Sequence, residues 1–141
     1  MTTYIDTSFL VSLYLSDNHS HLADRMIKGV SYFLLTPLHQ SEWLHATSQN
    51  VFRGEISDVR CQELRALFDR DAKSGLWRDT PMPEHAFDLC CDLALKYGMK
   101  YGMRTLDTLH VACAVELQVE RFWTFDERQS KLAKAAGLRI S

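Results

Sequence analysis

The sequence predicts an α/β fold with a mainly parallel central sheet, and three observations predict it. Short apolar segments alternate with stretches of helical periodicity along the whole chain. No tight hairpin turn separates neighbouring strand-like segments, so strands should be joined by helical crossovers. The segment Tyr32 to Thr36 is apolar at every position but its last, as a parallel strand buried on both faces should be.

The elements follow in order. Thr3 to Ile5 reads as the first strand. Thr7 or Ser8 can cap a helix carrying Phe9, Leu10, Leu13 and Tyr14 on one side. His19 and His21 fall in a polar loop. After the strand Tyr32 to Thr36, Pro37 suits the first turn of a helix running to about Phe52, which Gly54 ends. Asp58 can cap a third helix with Val59, Leu64, Leu67 and Phe68 inward, closed by Gly75. Leu76-Trp77-Arg78 is a short strand, and Pro81 and Pro83 mark a loop. Glu84 to Lys96 is helical. Tyr97 to Met103 repeats Tyr-Gly-Met, and its glycines suggest a connection. Thr105 can cap a helix to about Gln118. Arg121 to Phe125 is a strand, Asp126 begins a last helix ending at Gly137, and Leu138-Arg139-Ile140 closes the chain as a short strand.

A chain of 141 residues fits one domain, residues 1–141, and can bury one core. Its hydrophobic content of 46% and charged content of 24% are ordinary for a globular protein. No apolar run approaches the roughly 20 residues that span a bilayer. The start lacks a basic residue and an apolar stretch, so a cytoplasmic location without a membrane partner is expected. Cys61, Cys90, Cys91 and Cys113 have neither C-x-x-C nor zinc spacing and are expected as buried free thiols. The net charge of −2 excludes a broad basic face for nucleic acid. Contact with RNA would depend on a local basic rim.

Four acids stand beside apolar runs: Asp6 after Tyr4-Ile5, Glu42 before Trp43-Leu44, Asp107 between Leu106 and Thr108-Leu109, and Asp126 after Trp123-Thr124-Phe125. A carboxylate near an apolar core needs compensation, and a divalent cation compensates several at once. Sites in open parallel sheets form outside the carboxyl ends of strands, where Asp6 and Asp126 fall. Asp107 lies in the first turn of a helix, and Glu42 about one and a half turns into another. All four are expected to converge on one edge. Clustered carboxylates repel one another, and Mg²⁺ or Mn²⁺ removes the conflict. The matching chemistry is phosphodiester hydrolysis.

The ordered pieces Tyr4-Ile5-Asp6-Thr7-Ser8, Glu42, Leu106-Asp107-Thr108-Leu109-His110-Val111-Ala112-Cys113-Ala114 and Trp123-Thr124-Phe125-Asp126 span almost the whole chain. In that order they resemble the PIN domain, and most of all the VapC-type ribonuclease toxins of bacterial toxin–antitoxin pairs. The resemblance implies a single α/β/α domain and Mg²⁺- or Mn²⁺-dependent endoribonuclease activity. It implies metal binding by Asp6, Glu42, Asp107 and Asp126. Asp6 and Asp107 would be the most direct ligands, Asp126 would act through water, and Glu42 would orient the attacking water or bind a second metal. Ser8 and Thr124 match supporting polar positions. A homodimer and a cognate antitoxin are implied as well.

Simpler roles compete with each assignment. Asp6 and Asp126 can each be a helix cap, and a Glu early in a helix, such as Glu42, is common. The six histidines show no zinc motif, and His110 is expected to serve packing. Arg104 is the leading candidate for RNA phosphate, ahead of Arg53 and Arg128. Trp123 is expected as core packing, and Met99 and Met103 could form an adaptable partner surface. A receiver domain needs paired acids after its first strand, where Tyr4-Ile5-Asp6-Thr7 offers one. A haloacid-dehalogenase-like phosphatase needs a second Asp two residues after the first, where Ser8 stands. The alternative outside catalysis is a silent PIN-like module that binds a protein partner through its acidic pocket.

Overall fold

Three-residue strands and helices make up the computed structural model, which describes all 141 residues. The order is β1 (Thr3–Ile5), α1 (Thr7–Ser12), α2 (Ser20–Met26), β2 (Phe33–Leu35), α3 (Pro37–Phe52), α4 (Asp58–Lys73), β3 (Trp77–Asp79), α5 (Ala86–Tyr101), α6 (Thr105–Glu116), β4 (Arg121–Trp123) and α7 (Glu127–Ala135). All strand pairing is parallel, in two ladders, β1 with β4 and β2 with β3. The expected α/β class is therefore borne out. The elements group into two compact units: residues 1–6 with 81–141, and residues 7–80. No helix is long and apolar enough to cross a membrane.

In the first unit, β1 is wholly buried and pairs with β4 in the register Thr3–Arg121, Tyr4–Phe122, Ile5–Trp123. Tyr4 stacks on Phe122 at 5.6 Å between ring centroids, and its hydroxyl lies 2.8 Å from His110 Nδ1. The helix supplying His110, α6, is buried from Thr108 through Ala114. A helix apolar on every side belongs inside, and small side chains at Ala112, Cys113 and Ala114 let α5 and α7 pack closely on it. Burial pushes the Cys113 thiol up to about 11 from its ordinary 9.0, so it stays neutral. This buried helix begins at Thr105, two residues before Asp107.

The second unit is built around aromatic rings. Trp43 stacks on Phe68 at 5.0 Å, Phe68 on Trp77 at 5.8 Å, and Phe33 on Trp77 at 5.4 Å. Each such pair contributes about 0.5–1.5 kcal/mol beyond its buried area. The Tyr14 hydroxyl donates to Asp71 Oδ2 at 2.7 Å and accepts from Trp77 Nε1 at 2.6 Å. Burial first, and the Asp71 bond second, push its pKa far above the ordinary 10.0. A Thr36–His39 capping box starts α3, with Pro37 at its head. The helix so anchored carries Glu42.

Several local expectations are corrected. His21 lies in α2 rather than a loop, although only Ala23 of that helix is buried. Ser57, not Asp58, caps α4, and Val59 faces solvent while Cys61 takes an inward place. α5 continues through Gly98 to Tyr101 and stops at Gly102, so the expected connection is mostly helix. Thr7 and Thr105 are the first residues of α1 and α6 rather than caps, and Arg104 occupies the α6 cap position. Cys91 is exposed, unlike the other three thiols. The last strand is a single bridge from Arg139 to Arg121. Trp123 packs in the core, as expected.

Candidate active site

Asp6 follows β1 directly, and its backbone N–H donates to Trp123 O at 3.2 Å. The ladder thus fixes where its side chain starts. The residue is only 4% exposed, and its Oδ2 lies 3.2 Å from the Thr124 hydroxyl oxygen. Thr124 follows β4, the strand paired with β1, so the two side chains meet because their strands are neighbours in register.

Asp126 is the cap of α7. Its Oδ1 accepts from Gln129 N at 3.0 Å, and its own N–H donates to Thr124 Oγ1 at 3.0 Å. The cap reading of the sequence is therefore correct for Asp126, and it does not remove Asp126 from the site. The second carboxylate oxygen is not committed by the capping bond itself.

Asp107 sits in the first turn of α6, where the helix dipole favours a negative charge. Its carboxylate is 29% exposed and lies 3.7 Å from Arg104 Nε. Arg104 itself is 91% exposed, so this pair contributes little to stability and leaves the guanidinium accessible. The Asp107 backbone carbonyl accepts from Gln129 Nε2 at 3.1 Å.

Asp6 and Asp126 are thus both bonded to Thr124, and Asp107 is linked to it by its backbone carbonyl through Gln129. Glu42 belongs to the second compact unit, where it accepts from the Thr7 hydroxyl at 2.8 Å. Ser8 is an exposed residue of α1 in that same unit. Nowhere are three or more His, Cys, Asp or Glu side chains gathered into a group that could hold a metal ion. His110 is buried against Tyr4, consistent with packing.

The PIN-domain family model matches residues 3–135. The chain belongs to the PIN-domain family. Solved structures share the PIN fold over nearly the whole chain. The VapC20 toxin of Mycobacterium tuberculosis, described as cleaving the sarcin–ricin loop, is 13% identical with a TM-score of 0.70, covering 99% of this chain and 98% of its own. VapBC2 of Rickettsia felis, bound to a DNA fragment from its promoter, is 10% identical with a TM-score of 0.70 and covers 100% and 98%. FitAcB of Neisseria gonorrhoeae is 14% identical with a TM-score of 0.67 and covers 99% and 96%. At these identities the likeness carries the fold. No curated protein matches.

Gln129 joins the acids of this PIN domain, although no acidic, metal-ligand or basic pattern in the sequence singles it out. The signal was present: Asp126-Glu127-Arg128-Gln129 has the Asp-x-x-Gln spacing of a capping box. Its side chain departs from that motif. Instead of returning to the cap backbone, it turns inward, 0% exposed, to Thr124 and to the Asp107 carbonyl.

Proposed function

We propose that this PIN domain is a metal-dependent endoribonuclease, using Mg²⁺ or Mn²⁺, and the toxin of a type II toxin–antitoxin pair. The observation that carries the reading is the network that links Asp6, Asp126 and the Asp107 backbone carbonyl through Thr124 and Gln129. Its acidic donors are all oxygen, which suits a hard cation. Mg²⁺ keeps several waters and needs only one or two carboxylates beside substrate phosphate, so it does not require three protein ligands in one group. The family match over residues 3–135 supports reading the chain as one nuclease domain.

Asp6 and Asp107 would be the direct ligands, with Asp126 acting through water and Glu42 orienting the nucleophilic water or serving a second ion. When bound, the cation supplies Lewis-acid polarisation of the phosphodiester and acidifies water. The chain's own residues do the positioning. Thr124 holds the Asp126 backbone, Arg104 is the exposed cation for RNA phosphate beside Asp107, and the α6 dipole steadies the Asp107 charge. The VapC20 likeness, to a toxin described as cleaving the sarcin–ricin loop, supports an RNA substrate, and the VapBC2 and FitAcB likenesses support a cognate antitoxin partner; a homodimer and a cytoplasmic setting belong to the same proposal.

The test is cleavage of total cellular RNA by purified protein with Mg²⁺ or Mn²⁺, with chelator, and by Asp107→Asn. Discrete metal-dependent products are expected, with the variant slower by about 100-fold or more, the several kcal/mol that a catalytic metal contributes. Failure of the folded, antitoxin-free protein to cleave moves the assignment to the partner-binding module.

A further inference from the structure

We infer that the outer face of α5 binds a second copy of this chain, with the two α5 helices antiparallel across a two-fold axis. The inference gives the homodimer of the reading above its surface, and it depends on no metal and no RNA. Phe87, Cys91, Leu95 and Met99 recur every four residues along α5, and all four are exposed, Phe87 at 63% and Leu95 at 87%. Residues four apart lie on the same side of a helix, so these side chains form one apolar ridge. The inward face of α5 is a different one, made by the buried Ala86, Cys90 and Leu93. Apolar residues scattered singly on a surface carry no message, whereas a continuous exposed row marks a place of association.

The adjoining row identifies the occupant. Asp88, Asp92, Lys96 and Lys100 follow the apolar ridge one residue on, all exposed, with the acids toward the start of α5 and the bases toward its end. Two antiparallel copies set Asp88 against Lys100 and Asp92 against Lys96, and the two-fold axis repeats both contacts. Parallel copies would set acid on acid and base on base. The midpoints of the two rows fall at Leu93 and Ala94, about 1.5 Å apart along the helix, so one axis serves both. Phe87 then meets Met99, and Cys91 meets Leu95. Rows at four-residue spacing are the ridges that most often interdigitate between packed helices, and the flexible Met99 adapts to the fit. Acid before base also suits the dipole of a single helix, but the dipole gives no reason for an apolar ridge beside the charges. Asp88 already meets the exposed His85 ring at 3.4 Å, a surface pair that contributes little and is readily exchanged. The apolar ridge supplies affinity, and the charge row selects orientation and partner.

The experiment is sedimentation equilibrium of the purified, antitoxin-free chain over a range of concentrations at low salt. It compares wild type, Leu95→Ser, the double variant Lys96→Glu/Lys100→Glu, the double variant Asp88→Lys/Asp92→Lys, and an equimolar mixture of the two double variants. Wild type is expected to dimerise, and Leu95→Ser to weaken the dimer about 10-fold or more. Each double variant is expected to weaken it at least as much, because its charge row then carries one sign only. The mixture should regain the wild-type affinity, since an all-acidic row meets an all-basic one. That rescue also shows that both chains are folded. Wild type that stays monomeric at every concentration overturns this inference and the homodimer, and leaves the nuclease reading to the RNA assay. A wild-type dimer unmoved by Leu95→Ser and by both double variants overturns this inference alone. Double variants that lose the dimer with unchanged circular dichroism, and do not regain it in the mixture, overturn the antiparallel pairing and the inference with it.

Discussion

The Asp126 carboxylate caps α7 through Gln129 N, and capping alone is served as well by an amide as by a carboxylate. Asp126→Asn should therefore keep stability within about 0.5 kcal/mol in urea unfolding while reducing RNA cleavage. Asp126→Ala should lose the cleavage and about 1 kcal/mol as well. Full activity in Asp126→Asn would reduce this residue to a cap. The acids were legible because a carboxylate beside an apolar run has few cheap explanations. Gln129 was not, because an uncharged amide in a polar helix reads as surface, and only the fold reveals that it points inward. Glu42 was legible as a residue, while its partner Thr7 was not, because a hydroxyl near a helix start reads first as a cap.

At the scale of elements, the tripeptide Tyr-Gly-Met occurs twice in seven residues with two different outcomes. Gly98 lies inside α5, and a Cβ there would meet only Ala94 Cβ at 4.0 Å. Gly102 ends the helix at φ +64°, where the left-handed backbone disfavours a side chain; the nearest atom to an added Cβ is Arg128 Nη1 at 3.9 Å. Gly98→Ala should stabilise the protein by about 0.5–1 kcal/mol through helix propensity. Gly102→Ala should destabilise it by about 1 kcal/mol through backbone strain alone. Chemical denaturation of both variants gives opposite signs if α5 ends where described, and equal signs if it does not. The glycines misled because propensity weighs both alike, and only the packing around α5 carries the helix past the first. The same limit explains α2. Its one buried residue, Ala23, leaves no apolar periodicity to read. The long helices α3, α4 and α5 were legible because their buried residues recur at helical spacing.

For the molecule as a whole, burial holds weak acids neutral in each compact unit, most strongly Cys113 in the first and Tyr14 in the second. Both folded pKa values lie above the unfolded ones, so in each case the unfolded chain loses its proton first. The stabilising effect is complete below the unfolded pKa, 9.0 for the thiol and 10.0 for the phenol, and is lost as pH rises through the folded value. For Cys113 the window runs from 9.0 to about 11, and the loss amounts to roughly 2–3 kcal/mol. Cys90 shifts in the same direction through burial. The unfolding free energy from urea titration, and with it the midpoint, should therefore hold steady up to about pH 9 and then fall, the free energy by up to about 1.4 kcal/mol per pH unit for each group that titrates. Cys113→Ala begins from a lower midpoint, because it loses the sulfur contact with Met82 at 4.0 Å. Its decline between pH 9 and 10 should nevertheless be shallower than that of wild type. Tyr14→Phe should spare the fall above pH 10 while leaving Asp71 and the Trp77 indole without their shared hydroxyl. Midpoints that fall in parallel for all three proteins would place the alkaline loss on other groups and remove these two from the account.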